Sequence, residues 1–245
     1  MSFRLKDIVP WGRSFDEYVS MFDLSETDLR KTILGCCDGP ASFNAILTRR
    51  GGYIVSVDPL YQFNTHEIRY LIDEIYPSII EQTRRNQDNF VWTTIRTVNE
   101  LGKLRMAAMN EFLSDYPSGR KQRRYISGKL PELPFPDGRF ELAVCSHLLF
   151  LYSERLSGDF HLESIKELCR VAREVRIFPL VDLDSKPSRH VQPVTTLLKK
   201  NGYEVTFVNV PYEFQRGGTQ MMRICRKQLQ PLLEQKGSRN KSGCL

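Results

Sequence analysis

The residues best suited to chemistry in this chain are a loop with two glycines and a carboxylate downstream of it. An apolar segment leads into Gly35-Cys36-Cys37-Asp38-Gly39, and a second apolar segment, residues 53–57, ends at Asp58. Glycines let the backbone approach a ligand closely, and the helix that follows begins with free N–H groups. A carboxylate at the end of the second segment can accept hydrogen bonds from two ribose hydroxyls. The spacing therefore predicts a site for a nucleoside-containing ligand.

The positions of the glycines argue against the common phosphate-binding loops. A dinucleotide fingerprint needs glycines at the first, third and sixth positions, but Cys37 and Pro40 occupy the last two. An alternating Gly-x-Gly-x-Gly pattern fits at Gly35 and Gly39 and fails at Cys37. The chain contains no Gly-x-x-x-x-Gly-Lys segment. A loop that binds a nucleoside without phosphates is therefore favoured.

Apolar periodicity places this loop in an alternation of strands and helices. This alternation predicts a Rossmann-like, doubly wound α/β sheet. The last two strands have no helix between them and should form an antiparallel C-terminal hairpin. We expect strands near residues 31–36, 53–57, 124–127, 140–145, 174–181, 203–210 and 219–225, and helices near residues 41–50, 160–172 and 191–200. The prediction is a seven-stranded, mostly parallel sheet.

The alternation breaks after the second strand. Apolar residues recur at helical spacing over residues 64–86 and again over residues 98–115, on either side of the aromatic loop 88–92. We interpret residues 61–122 as an α-helical insertion over the open end of the sheet. The predicted organisation is a helical cap at residues 1–30, one α/β domain at residues 31–229, and a disordered basic tail at residues 230–245.

The charge, the cysteine spacing and the apolar runs of the chain exclude several classes of protein. The 245 residues have a formal net charge of +6, part of which falls in the tail. Six cysteines form no Cys-x-x-Cys pair, so we expect neither a metal site nor a disulfide framework. No apolar run approaches the roughly 20 residues that span a bilayer, and the first residues lack the apolar core of a signal peptide. We expect a cytoplasmic protein with no membrane partner.

Three sequence blocks resemble the class I S-adenosylmethionine-dependent methyltransferases. They are residues 34–41, residues 57–60 and residues 133–147; in the last, Leu-Pro-Phe precedes an aspartate turn and a strand. Residues 39–44 and 212–218 resemble, more narrowly, a group of uncharacterised bacterial methyltransferase-like proteins. The resemblance implies S-adenosylmethionine as cofactor and S-adenosylhomocysteine as product.

The resemblance also implies roles for individual residues. Gly35 to Gly39 would surround the methionine moiety, Asp58 would bind the ribose, and Leu60 would touch the adenine. The turn before Leu130 would lie by the adenine amine, and the end of the fourth strand would face the sulfonium. The implied cofactor-binding residues are Gly35, Cys36, Cys37, Asp38, Gly39, Asp58, Pro59, Leu60, Lys129, Leu130, Cys145 and Ser146.

Candidate catalytic and acceptor-binding residues follow from position. His147 follows the fourth strand and could act as general base, although a histidine packed under the next helix is an equal alternative. Aromatic and polar residues that could line an acceptor pocket are Tyr61, Trp92, Gln215 and Arg216. The other histidines are expected in structural positions (His66 and His190) or in solvent (His161).

Three functions remain open. The favoured hypothesis is methyl transfer to oxygen or nitrogen of a small molecule. An alternative is a protein that binds S-adenosylmethionine or S-adenosylhomocysteine without catalysis. Cys37 replaces the usual middle glycine, and Lys129 replaces an acid that often contacts the adenine amine. An RNA methyltransferase that docks through the basic segment 120–124 is possible but not favoured. The oligomeric state does not follow from the sequence.

Overall fold

A computed structural model of the protein describes residues 9–226. Its strands are β1 (Thr32–Cys36), β2 (Tyr53–Val57), β3 (Tyr125–Ile126), β4 (Phe140–Ser146), β5 (Ala172–Phe178), β6 (Tyr203–Asn209) and β7 (Gln220–Arg226). Its α-helices are α1 (Phe15–Met21), α2 (Phe43–Arg49), α3 (Thr65–Arg85), α4 (Val98–Lys121), α5 (Gly158–Val171) and α6 (Val191–Lys200). The expected tail, residues 230–245, lies outside the described residues.

The strands form one seven-stranded sheet in the order β3-β2-β1-β4-β5-β7-β6. Strands β1 to β5 pair in parallel, whereas β7 pairs antiparallel with both β5 and β6. This arrangement confirms the predicted seven-stranded, mostly parallel Rossmann-like sheet and its antiparallel C-terminal hairpin. The strand order reverses between β1 and β4, and the crevice beyond the carboxyl ends at such a point is where open α/β sheets bind ligands.

The helical insertion between β2 and β3 consists of α3 and α4. Helix α3 begins at a capping box in which Asn64 and Glu67 satisfy each other's backbone N–H groups. A buried aromatic cluster joins the insertion to the sheet, with Tyr61, Tyr116 and Tyr125 packed around Phe112. This cluster fixes the two long helices beside the carboxyl ends of β1 and β2.

Helix α4 continues through Pro117 to Lys121, beyond the range 98–115 over which apolar spacing predicts a helix. The basic segment 120–124 therefore begins inside α4. Arg124 forms a bidentate ion pair with Asp115, and Arg120 donates a hydrogen bond to the Phe63 carbonyl. Two of its basic side chains therefore hold the insertion in place.

The core packs on both faces of the sheet. Helices α5 and α6 cover one face with residues such as Ile165 and Leu198, and α1 and α2 cover the other with Phe22 and Phe43. Over residues 9–226, none of the helices combines the length and apolarity that a membrane span requires.

Candidate functional site

A cavity of about 720 Å³ opens at the carboxyl ends of the strands. We call the part formed by residues at or just after the carboxyl ends of β1, β2, β3 and β4 the strand-end half; it includes Gly39, Asp58, Leu60, Leu130 and Ser146. We call the remainder the outer half. It is built by the segment before α1, by α3 and α4, and by the loop after β6, through Arg13, Ile75, Arg105, Tyr212 and Phe214.

Asp58 and Gly39 face each other in the strand-end half. The Gly39 N–H donates to Asp58 Oδ2 at 3.0 Å, and the Leu60 N–H donates to Asp58 Oδ1 at 2.7 Å. Gly39 has a φ of +53°, and a Cβ added there would meet nothing within 4 Å. Burial raises the pKa of Asp58 to about 6, although both N–H groups oppose that shift. The pair therefore presents an open backbone cradle beside a carboxylate that is mostly ionised at pH 7.

Asp38 is a structural member of the same loop. Its Oδ1 accepts from the Tyr18 hydroxyl at 2.9 Å, and its Oδ2 accepts from Ser56 Oγ at 2.7 Å. A Cβ at Gly35 would overlap this carboxylate, so glycine at 35 makes room for Asp38. Burial raises the pKa of Asp38 to about 7. Gly35 thus shapes the loop from beneath, and it is not among the residues that line the cavity.

The three cysteines predicted at the site form a cluster under the loop. Cys36 and Cys145 are partners across β1 and β4, and both are fully buried. The sulfurs of Cys36, Cys37 and Cys145 lie within 4.8 Å of one another. Cys37, with a φ of +58°, places its Sγ 3.7 Å from Cys36 Sγ. The Cys37 thiol therefore packs toward the sheet, and its replacement of the usual glycine is accommodated there.

His147 lies at the mouth of β4 between the two halves. Its backbone is left-handed, with a φ of +53°, and its N–H donates to the Phe178 carbonyl at 2.8 Å. The Nδ1 atom lies 2.7 Å from Ser146 Oγ. Burial, followed by the charges of Arg13 and Arg105, holds the pKa of His147 well below its usual value. The imidazole is therefore neutral at pH 7, as a proton acceptor must be.

The outer half contains a buried ion pair that spans the fold. Glu17 in α1 accepts from Arg105 Nη1 of α4 at 2.5 Å and from the Tyr212 hydroxyl at 2.9 Å. The same carboxylate caps α1 by accepting from the Ser14 N–H. Burial disfavours the charged form, but the ion pair with Arg105 outweighs it and lowers the pKa of Glu17 to about 2. Three distant segments therefore meet at one carboxylate.

Arg13 adds a second guanidinium to the outer half. Its Nη1 donates to the Trp11 carbonyl at 2.9 Å, whereas its Nε is shielded from water and has no hydrogen-bond partner among residues 9–226. No carboxylate of that part of the chain lies within 4.0 Å of it as an ion pair. Burial, followed by repulsion from Arg105, lowers the pKa of Arg13 to about 10. The side chain is therefore still a cation at pH 7.

The structure brings most of the sequence-predicted site residues to the cavity. Those that line it are Cys37, Asp38, Gly39, Asp58, Pro59, Leu60, Lys129, Leu130, Ser146, His147 and Gln215. Gly35, Cys36 and Cys145 lie beneath it, and three of the four candidate acceptor residues do not line it. Tyr61 is buried and donates to the Gly39 carbonyl at 2.7 Å. Its hydroxyl therefore supports the glycine loop from behind.

Trp92 and Arg216 also have structural contacts away from the cavity. Trp92 packs on Phe90 and Phe214 and donates to the Gln87 carbonyl. Arg216 is exposed and donates to the carbonyls of Asp88 and Phe90, which ties the loop after β6 to the loop between α3 and α4. These two residues hold one wall of the outer half from outside.

His161 corrects a sequence expectation. It is fully buried, its Nε2 accepts from the Phe150 N–H at 3.0 Å, and its Nδ1 lies 2.7 Å from the Ser157 carbonyl. Both contacts suit a neutral ring with the proton on Nδ1. The segment was expected in solvent because its sequence is polar, but the loop 147–156 covers it. His161 therefore holds the loop that carries His147.

Sequence reasoning missed Arg13, Glu17, Arg105 and Tyr212. One signal was available for Arg105, because it falls in the buried stripe of α4 between Leu101 and Ala108. A charged residue at an apolar position needs a buried partner, which directs attention to distant carboxylates. For Arg13, Glu17 and Tyr212, neither spacing nor a motif in the sequence indicates that the three side chains lie together.

Comparison with known proteins yields a relative of nearly the same length. No protein-family model matches the chain. The chain is 35% identical over 223 residues to the uncharacterized protein MJ0045 of Methanocaldococcus jannaschii, a match that covers 91% of this chain and 98% of that protein. The chain belongs to the MJ0045 family. The name of MJ0045 specifies no activity, so the site is the basis for a function of the MJ0045 family.

Solved structures with similarity to this MJ0045 family member include methyltransferases. One is magnesium protoporphyrin IX methyltransferase from Synechocystis PCC 6803 with bound SAM, at a TM-score of 0.45 and 13% identity over 87% of this chain and 78% of that one. Another is a SAM dependent methyltransferase from Aquifex aeolicus, with a TM-score of 0.44 and 13% identity; the match covers 86% of this chain and 89% of that one. A putative RNA methyltransferase from Pyrococcus horikoshii matches with a TM-score of 0.43 and 10% identity; the match covers 86% of this chain and 84% of that one.

Proposed function

We propose that this protein is an S-adenosylmethionine-dependent methyltransferase that acts on oxygen or nitrogen of a small molecule. The observation that carries the proposal is the pairing of Asp58 with the open cradle at Gly39, at the carboxyl ends of adjacent strands β1 and β2. A ribose needs a carboxylate at this place, and a methionine moiety needs a backbone with no side chain in its path.

The residues of the strand-end half fit this ligand. Each oxygen of Asp58 accepts one backbone N–H and keeps acceptor capacity for a ribose hydroxyl. The buried side chain of Leu130 and the side chain of Leu60 give an adenine ring apolar surface. Lys129 is exposed at the rim, so a backbone group or water has to meet the adenine amine. When bound, the cofactor supplies a methyl group activated by a sulfonium.

The chain's own residues then position the acceptor and take its proton. His147 is neutral and lies where the strand-end half meets the outer half, so it can receive a proton from the hydroxyl or ammonium group of an acceptor. Ser146 orients the ring through the 2.7 Å contact at Nδ1. The apolar residues of α3 and of the loop after β6 exclude water from the transfer.

Methyl transfer to RNA has less support. A docking patch needs free cations, but Arg124 and Arg120 are engaged with Asp115 and Phe63, which leaves Lys121 and Arg123 of the segment exposed. The outer half is lined by apolar side chains of α3 and of the loop after β6, as a pocket for a small molecule is.

Calorimetric titration with S-adenosylmethionine and S-adenosylhomocysteine tests the proposal. We expect wild-type binding in the micromolar range, about −8 kcal/mol. Asp58→Asn should weaken binding about tenfold or more, because it removes a charged hydrogen-bond acceptor. Asp73→Asn, at an exposed position of α3, is the matched control. No binding by the wild type would reject the proposal, and binding without turnover on any acceptor would favour the non-catalytic alternative.

A further inference from the structure

The outer half of the cavity carries a cation that the methyl-transfer proposal leaves unused. Arg13 and Arg105 both line it, and Glu17 neutralises Arg105 through their ion pair. Arg13 remains without an ion pair among residues 9–226, and a buried charge without a partner is costly. A ligand with a negative charge would complete the pair and offset this cost.

The hydrogen bonds of Arg13 show which donor is available. A guanidinium has five N–H donors in a fixed fork. Nη1 donates to the Trp11 carbonyl and Nε is shielded from solvent, whereas Nη2 makes no hydrogen bond to the described part of the chain. A charged N–H donor of this kind matches a carboxylate oxygen.

The surroundings of Arg13 select the rest of the ligand. Apolar side chains of the outer half include Trp11, Leu71, Ile75, Leu101 and Phe214. The carboxylates that line the cavity are Asp38 and Asp58 in the strand-end half and Glu74 at an exposed position of α3. An apolar body with a single negative charge suits this chamber better than a phosphate, whose second charge would need further donors.

We propose that the outer half binds an apolar small molecule with a carboxylate, held by the guanidinium of Arg13 through Nη2. This inference rests on the proposed function, since it names the chemical class of the methyl acceptor. Binding of the acid would hold the acceptor beside His147, and its charge would offset the two guanidinium groups that face the imidazole. The transferred methyl group then goes to a hydroxyl or amino group elsewhere on that acid.

The test compares acids with their neutral amides. Phenylacetate, 4-hydroxybenzoate and indole-3-acetate are each titrated against the matching carboxamide, with the full chain and saturation-transfer NMR. We expect at least one acid to bind about tenfold or more tightly than its amide, as the loss of a charged hydrogen bond implies. Arg13→Gln should abolish this preference. Arg96→Gln, at an exposed position before α4, should keep it.

The outcomes separate this inference from the proposed function. Equal binding of every acid and its amide, no binding of any acid, or an acid preference that survives Arg13→Gln would overturn the inference. The titrations are run with and without S-adenosylhomocysteine. If the wild type prefers acids but does not bind S-adenosylhomocysteine, the methyltransferase proposal fails and the anion site stands. If the wild type binds S-adenosylhomocysteine but does not prefer acids to their amides, the anion site fails and the methyltransferase proposal stands.

Discussion

The two halves of the cavity are built in different ways. The strand-end half comes from loops that follow β1, β2, β3 and β4, and its polar contacts, such as Gly39 to Asp58, run between neighbouring strand ends. The outer half joins α1, α4 and the loop after β6 through Glu17, Arg105 and Tyr212. One half follows from the sheet, whereas the other depends on a buried ion pair.

This difference indicates which half of the cavity can vary in ligand specificity. The carboxyl ends of parallel strands fix the strand-end half, so any chain with this sheet offers a comparable place for a ligand. The outer half is assembled from additions to the sheet: the segment before β1, the insertion and the C-terminal loop. We expect features that distinguish one acceptor from another to lie there.

The largest expected effect is on the ion pair of the outer half. Glu17→Gln leaves Arg105 buried without a countercharge and should lower the free energy of unfolding by about 3–5 kcal/mol. Urea denaturation at pH 7 measures it, with Glu81→Gln, which breaks a surface ion pair within α3, as control. Equal midpoints for Glu17→Gln and the wild type would show that the ion pair does not hold the outer half.

The same ion pair predicts a pH dependence. The pKa of Glu17 is about 2 in the folded protein and near 4.5 in the unfolded chain, so its contribution to stability is present above pH 4.5 and lost as the pH falls toward 2. Unfolding midpoints between pH 6 and 3 should therefore fall more steeply for the wild type than for Glu17→Gln. Parallel curves would contradict the assigned pairing.

A second prediction concerns His147, which lies where the two halves of the cavity meet. His147→Gln should reduce kcat by about 100-fold or more and change the KM for S-adenosylmethionine little, because the residue acts on the acceptor's proton. Steady-state kinetics measure this once an acid from the panel proves to be methylated. His66→Gln, exposed in the first turn of α3, is the control. An unchanged kcat would assign His147 a packing role only.

A smaller effect is a pH dependence confined to the strand-end half. A ribose binds the ionised form of Asp58, whose pKa is raised to about 6 by burial, so the Kd for S-adenosylhomocysteine should rise about tenfold per unit as the pH falls below 6. It should level off above pH 7. Asp58→Asn should remove the slope, whereas Asp38→Asn should keep it, because Asp38 bonds to Tyr18 and Ser56. A constant Kd from pH 5 to 7 would contradict this role.

The smallest expected effect concerns the wall of the outer half. Arg216→Ala removes the hydrogen bonds to the Asp88 and Phe90 carbonyls and should speed amide hydrogen exchange at Val91, whose N–H donates to the Phe214 carbonyl. Exchange at Gly39 in the strand-end half should not change. Equal acceleration at both amides would show that the halves are not independent.

The two halves also differ in how far the sequence predicts them. Apolar runs and turn residues predict the sheet, its hairpin, and the carboxylate that ends β2, because these are local patterns. Tyr61 and Arg216 were interpreted as acceptor-binding residues, but they face the loops that they support, and sequence does not report which way a side chain turns. Glu17 and Arg105 are 88 positions apart, and neither is near a motif. Contacts of that kind come from tertiary packing alone.

A crystal structure of the protein with S-adenosylhomocysteine tests the central claim most directly. The ribose hydroxyls should donate to both oxygens of Asp58, and the methionine moiety should pass over Gly39. The sulfur should face Ser146 and His147, with the outer half open beside Arg13. S-adenosylhomocysteine bound elsewhere, or bound in this cavity without contact between its ribose and Asp58, would contradict the assignment of the strand-end half to the methyl donor.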